Sequence, residues 1–140
     1  MTVIAYRDGI MAADSACWDG NVIYSVARKK IVRLKDGSLF AGTGSTSVIE
    51  AARAWLNGEA DRPAAVSEND FSALIVRPNG AVFGIEHNML LFEQPPAPYH
   101  YLGPDFVAGA LAAGASAAEA VRLTIQGTNL AAGEVQTEAL

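Results

Sequence analysis

Short apolar runs punctuated by Asp-Gly and Asn-Gly pairs set the strongest limit on this chain, because they favour strands joined by tight hairpin turns. Residues 3–6 and 10–13 flank Arg7-Asp8-Gly9. Asp-Gly supplies the two positive-φ positions of a two-residue turn, so the chain opens with a β-hairpin. Asp19-Gly20 turns into residues 21–24, residues 30–34 read as a strand, and Lys35-Asp36-Gly37 leads into residues 38–42. Residues 71–76, 81–85 and 89–92 are three further strands, separated by Pro78-Asn79-Gly80 and Glu86-His87-Asn88. The result is an antiparallel meander with interruptions.

The interruptions are helical. Ser47 and Glu50 have capping-box spacing, and Val48, Ala51, Ala52, Trp55 and Leu56 follow at helical intervals, predicting a helix to about Leu56 that Asn57-Gly58 ends. Residues 59–70 read as an exposed loop. Residues 94–98 contain three prolines and cannot donate a regular ladder, so they form an extended link to a strand over 99–102. Pro104 suits the first turn of a helix through Ala113, with Gly114 at its C-terminus. Ser116 and Glu119 form a second capping box, opening a helix that carries Val121, Thr124 and Ile125 on one side. Residues 127–133 then form a loop, and 134–137 alternate as a last strand. Many antiparallel strands with segregated helices predict an α+β layered sandwich rather than a doubly wound parallel sheet.

Length and composition narrow the function classes. A chain of 140 residues with 51% apolar content supports one domain over 1–140. The net charge of -5, with no isolated cluster of Lys and Arg, argues against a nucleic-acid partner. Cys17 is the single cysteine, so no internal disulfide and no cysteine-based zinc spacing exists, which fits a reducing compartment. His87 and His100 have no metal-like partners, and no cofactor is expected. Arg7 and Asp8 interrupt the N-terminus too early for a signal peptide, and every apolar run falls short of the roughly 20 residues that cross a bilayer. A cytoplasmic, soluble protein is expected.

Thr2 directly follows Met1. Removing Met1 would give one residue both a hydroxyl nucleophile and a free amine able to act as its base. Beside it stand Met11-Ala12-Ala13-Asp14-Ser15, Arg28-Lys29-Lys30-Ile31-Val32-Arg33-Leu34 and Leu39-Phe40-Ala41-Gly42-Thr43-Gly44-Ser45, in that order. With the glycine- and alanine-rich helix pair over 109–121, these pieces make the chain resemble the proteasome β-subunit group of N-terminal nucleophile hydrolases, small phage and bacterial relatives included.

The resemblance implies a four-layer αββα sandwich of two antiparallel sheets. It assigns Thr2 as nucleophile, Asp14 as the acid after the second strand, Lys30 as the lysine beside the nucleophile, and the Gly44-Ser45 turn as the oxyanion donor. Arg28, Thr43 and Ser47 would flank the substrate. A lysine ammonium near Thr2 favours the unprotonated amine and the developing alkoxide, and Asp14 would keep Lys30 charged and oriented. Two outer positions depart from the family pattern. Gly103-Pro104-Asp105 stands where the family has Gly-Ser-Gly, and Thr128 stands where it has an aspartate. The implied function is a threonine peptidase or amidohydrolase acting on peptide or amide substrates. It would work as a homo-oligomer in a ring or stacked rings, with an ATPase unfoldase as the class of partner. The alternative is a non-catalytic homologue that keeps the sandwich for assembly.

Overall fold

The computed structural model describes residues 2–140, so Met1, whose removal the Thr2 chemistry requires, lies outside the described residues. The first elements in chain order are β1 (Ile4–Arg7), β2 (Ile10–Ala13), β3 (Cys17–Asp19), β4 (Val22–Ser25), β5 (Ile31–Arg33) and β6 (Leu39–Gly44). Helix α1 (Thr46–Leu56) precedes β7 (Phe71–Val76), β8 (Val82–Glu86), β9 (Leu91–Glu93) and β10 (His100–Leu102). Helices α2 (Asp105–Ala112) and α3 (Ala117–Gly127) and strand β11 (Gln136–Ala139) complete the chain. Two compact units result: one takes the N-terminal part through Ile31 together with Ala97–Ala139, the other Val32–Pro96 and Leu140.

In the first unit, Asp8 and Gly9 adopt φ 53° and 78°, which joins β1 to β2 with a tight turn whose twist matches the strands. Strands β10 and β11 add on either side, giving the order β10-β1-β2-β11 with every pairing antiparallel. Successive side chains alternate between faces, so Val3, Ala5 and Ala12 share one core with Val107, Leu111, Ala117, Ala120 and Val121 of the helix pair. Alanine dominates these positions, which lets helix backbones lie close to the sheet. The Arg7 guanidinium donates to the carbonyls of Leu111 (2.9 Å) and Ala115 (2.6 Å) past the end of α2, and it lies 5.2 Å from the centre of the Tyr99 ring. The Leu111 carbonyl, in the last turn of α2, thus meets a cation of the sign the helix dipole favours there.

The second unit is a five-stranded sheet of order β5-β6-β7-β8-β9 with α1 against it. Phe40, Ala52, Phe71, Ala73, Ile75 and Ile85 form its buried centre, with Val48, Ile49 and Trp55 of α1 packed onto them. Of the apolar face picked out by spacing, Val48, Ala52, Trp55 and Leu56 pack here, whereas Ala51 is exposed and Ile49 joins the contact instead.

Several local expectations are corrected. A short strand over Cys17–Asp19 pairs with β4, although the sequence marked only the turn after it. Helix α1 begins one residue before Ser47, with Ser45 as its N-cap and no side-chain cap bond; the Glu50 carboxylate pairs with Arg53 at 3.1 Å, so the Ser47–Glu50 capping box does not form. Pro104 is the N-cap of α2, at ψ 159°, rather than a first-turn residue. Ser116 does cap α3, accepting from the Glu119 N–H at 3.1 Å, but the Glu119 side chain turns to Arg122 instead of back to the cap. Met89 takes φ 60° in the turn after β8, which delays β9 to Leu91. The last strand starts at Gln136, two residues later than 134, because the Glu134 carbonyl is held by the Ser15 hydroxyl at 2.6 Å.

Candidate active site

Hairpin register places the first two groups. Ile4 pairs with Ala13, so the next positions outward along the ladder are Val3 and Asp14. The Asp14 N–H donates to the Val3 carbonyl at 3.4 Å, and the Val3 N–H donates to Asp14 Oδ1 at 3.1 Å. Asp14 is thereby tied to the residue after Thr2 by its backbone and side chain alike.

Lys30 arrives from the irregular segment between β4 and β5. Its Nζ lies 2.8 Å from Asp14 Oδ1 and 3.0 Å from Thr2 Oγ1. The Asp14 carboxylate is fully buried and takes a further bond on Oδ2 from the Ala132 N–H at 3.2 Å. Burial pushes the Lys30 ammonium below the ordinary lysine range, while the Asp14 charge and hydrogen bond act the other way. The arrangement is a buried ion pair whose cation also reaches a hydroxyl oxygen at the head of β1.

Of the residues singled out in the sequence, the structure brings together Thr2, Asp14 and Lys30. Arg28 lies two residues before Lys30; its N–H donates to the Ser15 carbonyl at 3.0 Å. With Lys29, Ser15, Gly133 and Glu134 it lines an open cavity of about 580 Å³. Thr43, Gly44, Ser45 and Ser47 belong to the second unit. There Thr43 is opposite Ser72, and Ser47 sits in the first turn of α1 with its hydroxyl 3.1 Å from that of Ser45.

The oxyanion turn is corrected in part. The Ser45 N–H donates to the Asp70 carbonyl at 2.8 Å and so is not an open donor. In an antiparallel ladder the neighbouring residue points its N–H the other way, so Gly44 directs its amide away from β7. Gly44 has φ +114°, and a Cβ there would come 2.1 Å from the Asp70 carbonyl oxygen. Gly44→Ala is therefore expected to destabilise the protein by about 3 kcal/mol, since positive-φ strain and overpacking each cost about 1–3 kcal/mol. A urea midpoint shift under about 0.5 kcal/mol in thermodynamic terms would refute this.

The two outer positions behave differently from the family pattern. Pro104 has no hydroxyl, and the Thr128 hydroxyl closes α3, donating to the Thr124 carbonyl at 2.8 Å and accepting from the Leu130 N–H at 3.1 Å. Gly103, at φ +132°, lets the chain leave β10 beside the Thr2 carbonyl, 3.2 Å from where a Cβ would be. Sequence reasoning missed the Ala132 amide, for which no residue type is diagnostic, and Gln136, whose side chain contacts segments on both sides of the site.

Solved structures share this architecture. BPH from Thiobacillus denitrificans in complex with epoxomicin aligns with a TM-score of 0.69 at 20% identity, covering 99% of this chain and 97% of that one. A second structure of BPH from the same organism gives 0.66 at 19%, covering 99% and 96%. HslV from Trypanosoma brucei gives 0.66 at 14%, covering 99% and 98%. The fold is proteasome β-subunit-like. No protein-family model matches the chain, and no curated protein does. In this proteasome-like frame the Thr2, Asp14 and Lys30 cluster sits at the open end of the β1–β2 hairpin, next to the Gly103 exit from β10. Among the described residues no group of His, Cys, Asp or Glu is placed to hold a metal ion, and no helix is long and apolar enough to cross a membrane.

Proposed function

We propose that the chain is a threonine-type amidohydrolase with Thr2 as nucleophile, and that residues 1–140 act as one domain of four αββα layers. The observation that carries this reading is the Lys30 ammonium at 3.0 Å from Thr2 Oγ1 while Asp14 holds it at 2.8 Å. With Met1 removed, the Thr2 amine takes the hydroxyl proton as Oγ1 attacks the amide carbonyl. The leaving amine takes that proton as the C–N bond breaks, and water then hydrolyses the resulting ester. Lys30 lowers the energy of the developing alkoxide through a charge-assisted hydrogen bond from an ammonium that is itself buried. Gly44 is assigned the oxyanion role on the resemblance, Ser45 being engaged elsewhere. Arg28, Thr43 and Ser47 are assigned to the substrate on the same ground.

Peptides or small amides, a ring-type homo-oligomer, an ATPase unfoldase partner and a cytoplasmic location complete the reading by analogy. The likeness to an epoxomicin-bound protein supports the choice of chemistry. A second reading, a non-catalytic assembly subunit, draws on Pro104 and Thr128, neither of which offers the amine of Thr2 the support of the family pattern. Intact mass measurement and epoxomicin treatment separate the two. The catalytic reading expects protein lacking Met1 and one adduct mapped to Thr2. Complete retention of Met1, or processed protein that takes no adduct, leaves the assembly reading.

A further inference from the structure

Gln136 makes more side-chain contacts around the Lys30 segment than either charged residue, and no reading of the sequence gave it a role. It opens β11 opposite Ala13, one position before Asp14. Its Oε1 accepts from the N–H of Lys30 (2.8 Å) and of Ile31 (3.2 Å). Its Nε2 donates to the carbonyls of Asp14 (2.9 Å) and Arg28 (2.8 Å), with the Ser15 hydroxyl oxygen at 3.3 Å. A primary amide has two acceptor sites and two hydrogens. Both acceptor sites are filled, and the two hydrogens serve two short bonds plus one longer shared contact.

The consequence lies in what these bonds connect. Residues 26–30 belong to no strand, so no ladder fixes the height at which Lys30 passes Asp14. The segment is fastened by the Arg28 N–H to the Ser15 carbonyl and by the Gln136 amide, which grips the backbone on either side of Lys30 and joins it to the backbone at Asp14. A side chain anchored in β11 thus sets the separation of two groups that come from different segments. We propose that Gln136 is the positioning residue that aligns Lys30 with Asp14 and Thr2 for nucleophilic attack. The proposal rests on the assignment of Thr2 as nucleophile.

Two substitutions distinguish this role from simple packing. Gln136→Met keeps length and bulk but removes every polar contact. Gln136→Glu is isosteric, keeps an acceptor for the Lys30 and Ile31 amides, and sets an oxygen against the Asp14 and Arg28 carbonyls. Full-length wild type and both variants are treated with epoxomicin over a concentration series, and amide hydrogen exchange is followed at Lys30 and Ile31.

In Gln136→Met, exchange at both amides is expected to accelerate at least tenfold. The maximal rate of adduct formation at Thr2 is expected to fall at least tenfold, with the half-saturating concentration changed less than threefold. Gln136→Glu is expected to lose the same maximal rate while protecting those two amides better than Gln136→Met. That split between the two variants would not arise from lost packing. Unchanged exchange in Gln136→Met, or a maximal rate within twofold of wild type in both variants, overturns the proposal. A loss confined to the half-saturating concentration also overturns it. Failure of processed wild-type protein to form the adduct refutes the Thr2 assignment itself, and with it the catalytic role of Gln136. A labelled wild type with equally labelled variants refutes Gln136 alone.

Discussion

Lys30→Met is expected to lose about 10²–10⁴-fold in the rate of acylation at Thr2, the range associated with removing a positioned proton-transfer or charge-stabilising partner. Methionine matches the lysine stem in length and is apolar, so the loss isolates the ammonium from its packing. The measurement is adduct formation at Thr2 by epoxomicin, and a loss below about tenfold would remove Lys30 from the chemistry. The pH profile adds a second check. Burial lowers the Lys30 pKa from its ordinary 10.5, so the charged form required for attack disappears below that pH as the solution becomes alkaline. Wild-type protein should therefore show an alkaline fall in rate before pH 10.5, and Lys30→Met should lack that limb.

Stability runs the opposite way over the same range. Between the lowered native value and 10.5, the unfolded chain binds more protons than the native one, so stability rises with pH across that window. The cost of the buried charge is present at neutral pH and vanishes once the unfolded lysine is also deprotonated. A protein that becomes slower and more stable as pH rises toward 10.5 would match both signs.

The parts of the fold that were legible in the sequence are those decided locally. Asp8-Gly9 needs only two positive-φ residues, and both are present, so the first hairpin could be read directly, with its second strand at 10–13 as expected and its first at Ile4–Arg7 instead of 3–6. Register then carried Asp14 to Val3 without further information. The Ser47–Glu50 pair looked equally local, yet the choice of cap depended on where β6 released the chain, and Ser45 took the extended conformation first. Strand β3 was hidden because a three-residue strand with burial running from buried Cys17 to exposed Asp19 shows no alternation.

The site divides in the same way. Thr2, Asp14 and Lys30 carry distinctive side chains in distinctive order. The Ala132 amide bound to Asp14 could be contributed by nearly any residue type, and Gln136 lies 106 positions from Lys30. Contacts of that kind depend on tertiary pairing of β11 with β2, which no local pattern encodes. The resemblance assigned groups with diagnostic chemistry and left out the groups that hold them in place.

Asp14→Ala should be the most destabilising single change at this site, by about 3–5 kcal/mol, because it leaves the buried Lys30 ammonium without its counter-charge. The carboxylate also accepts from the Val3 and Ala132 N–H groups, so three donors lose their acceptor at once. Asp14→Asn does not escape the loss. All the bonds to this side chain come from donors, and an asparagine must turn its NH₂ toward one of the two oxygen positions those donors face. Destabilisation by Asn should therefore approach that by Ala despite the near-identical shape. In Asp14→Ala the Lys30 pKa falls further, since the main influence raising it has gone. Its deficit against wild type should then shrink as pH rises and Lys30 sheds its charge. Urea unfolding of wild type, Asp14→Ala and Asp14→Asn at pH 7 and 9.5 measures all of this. A deficit below about 1 kcal/mol at pH 7, or one that grows with pH, would mean that Asp14 does not hold the Lys30 charge. The order Asn near Ala, with both far below wild type, is the one expected where the site needs a charged group that only accepts, because both variants lose the charge and Asn also turns a donor toward one set of donors.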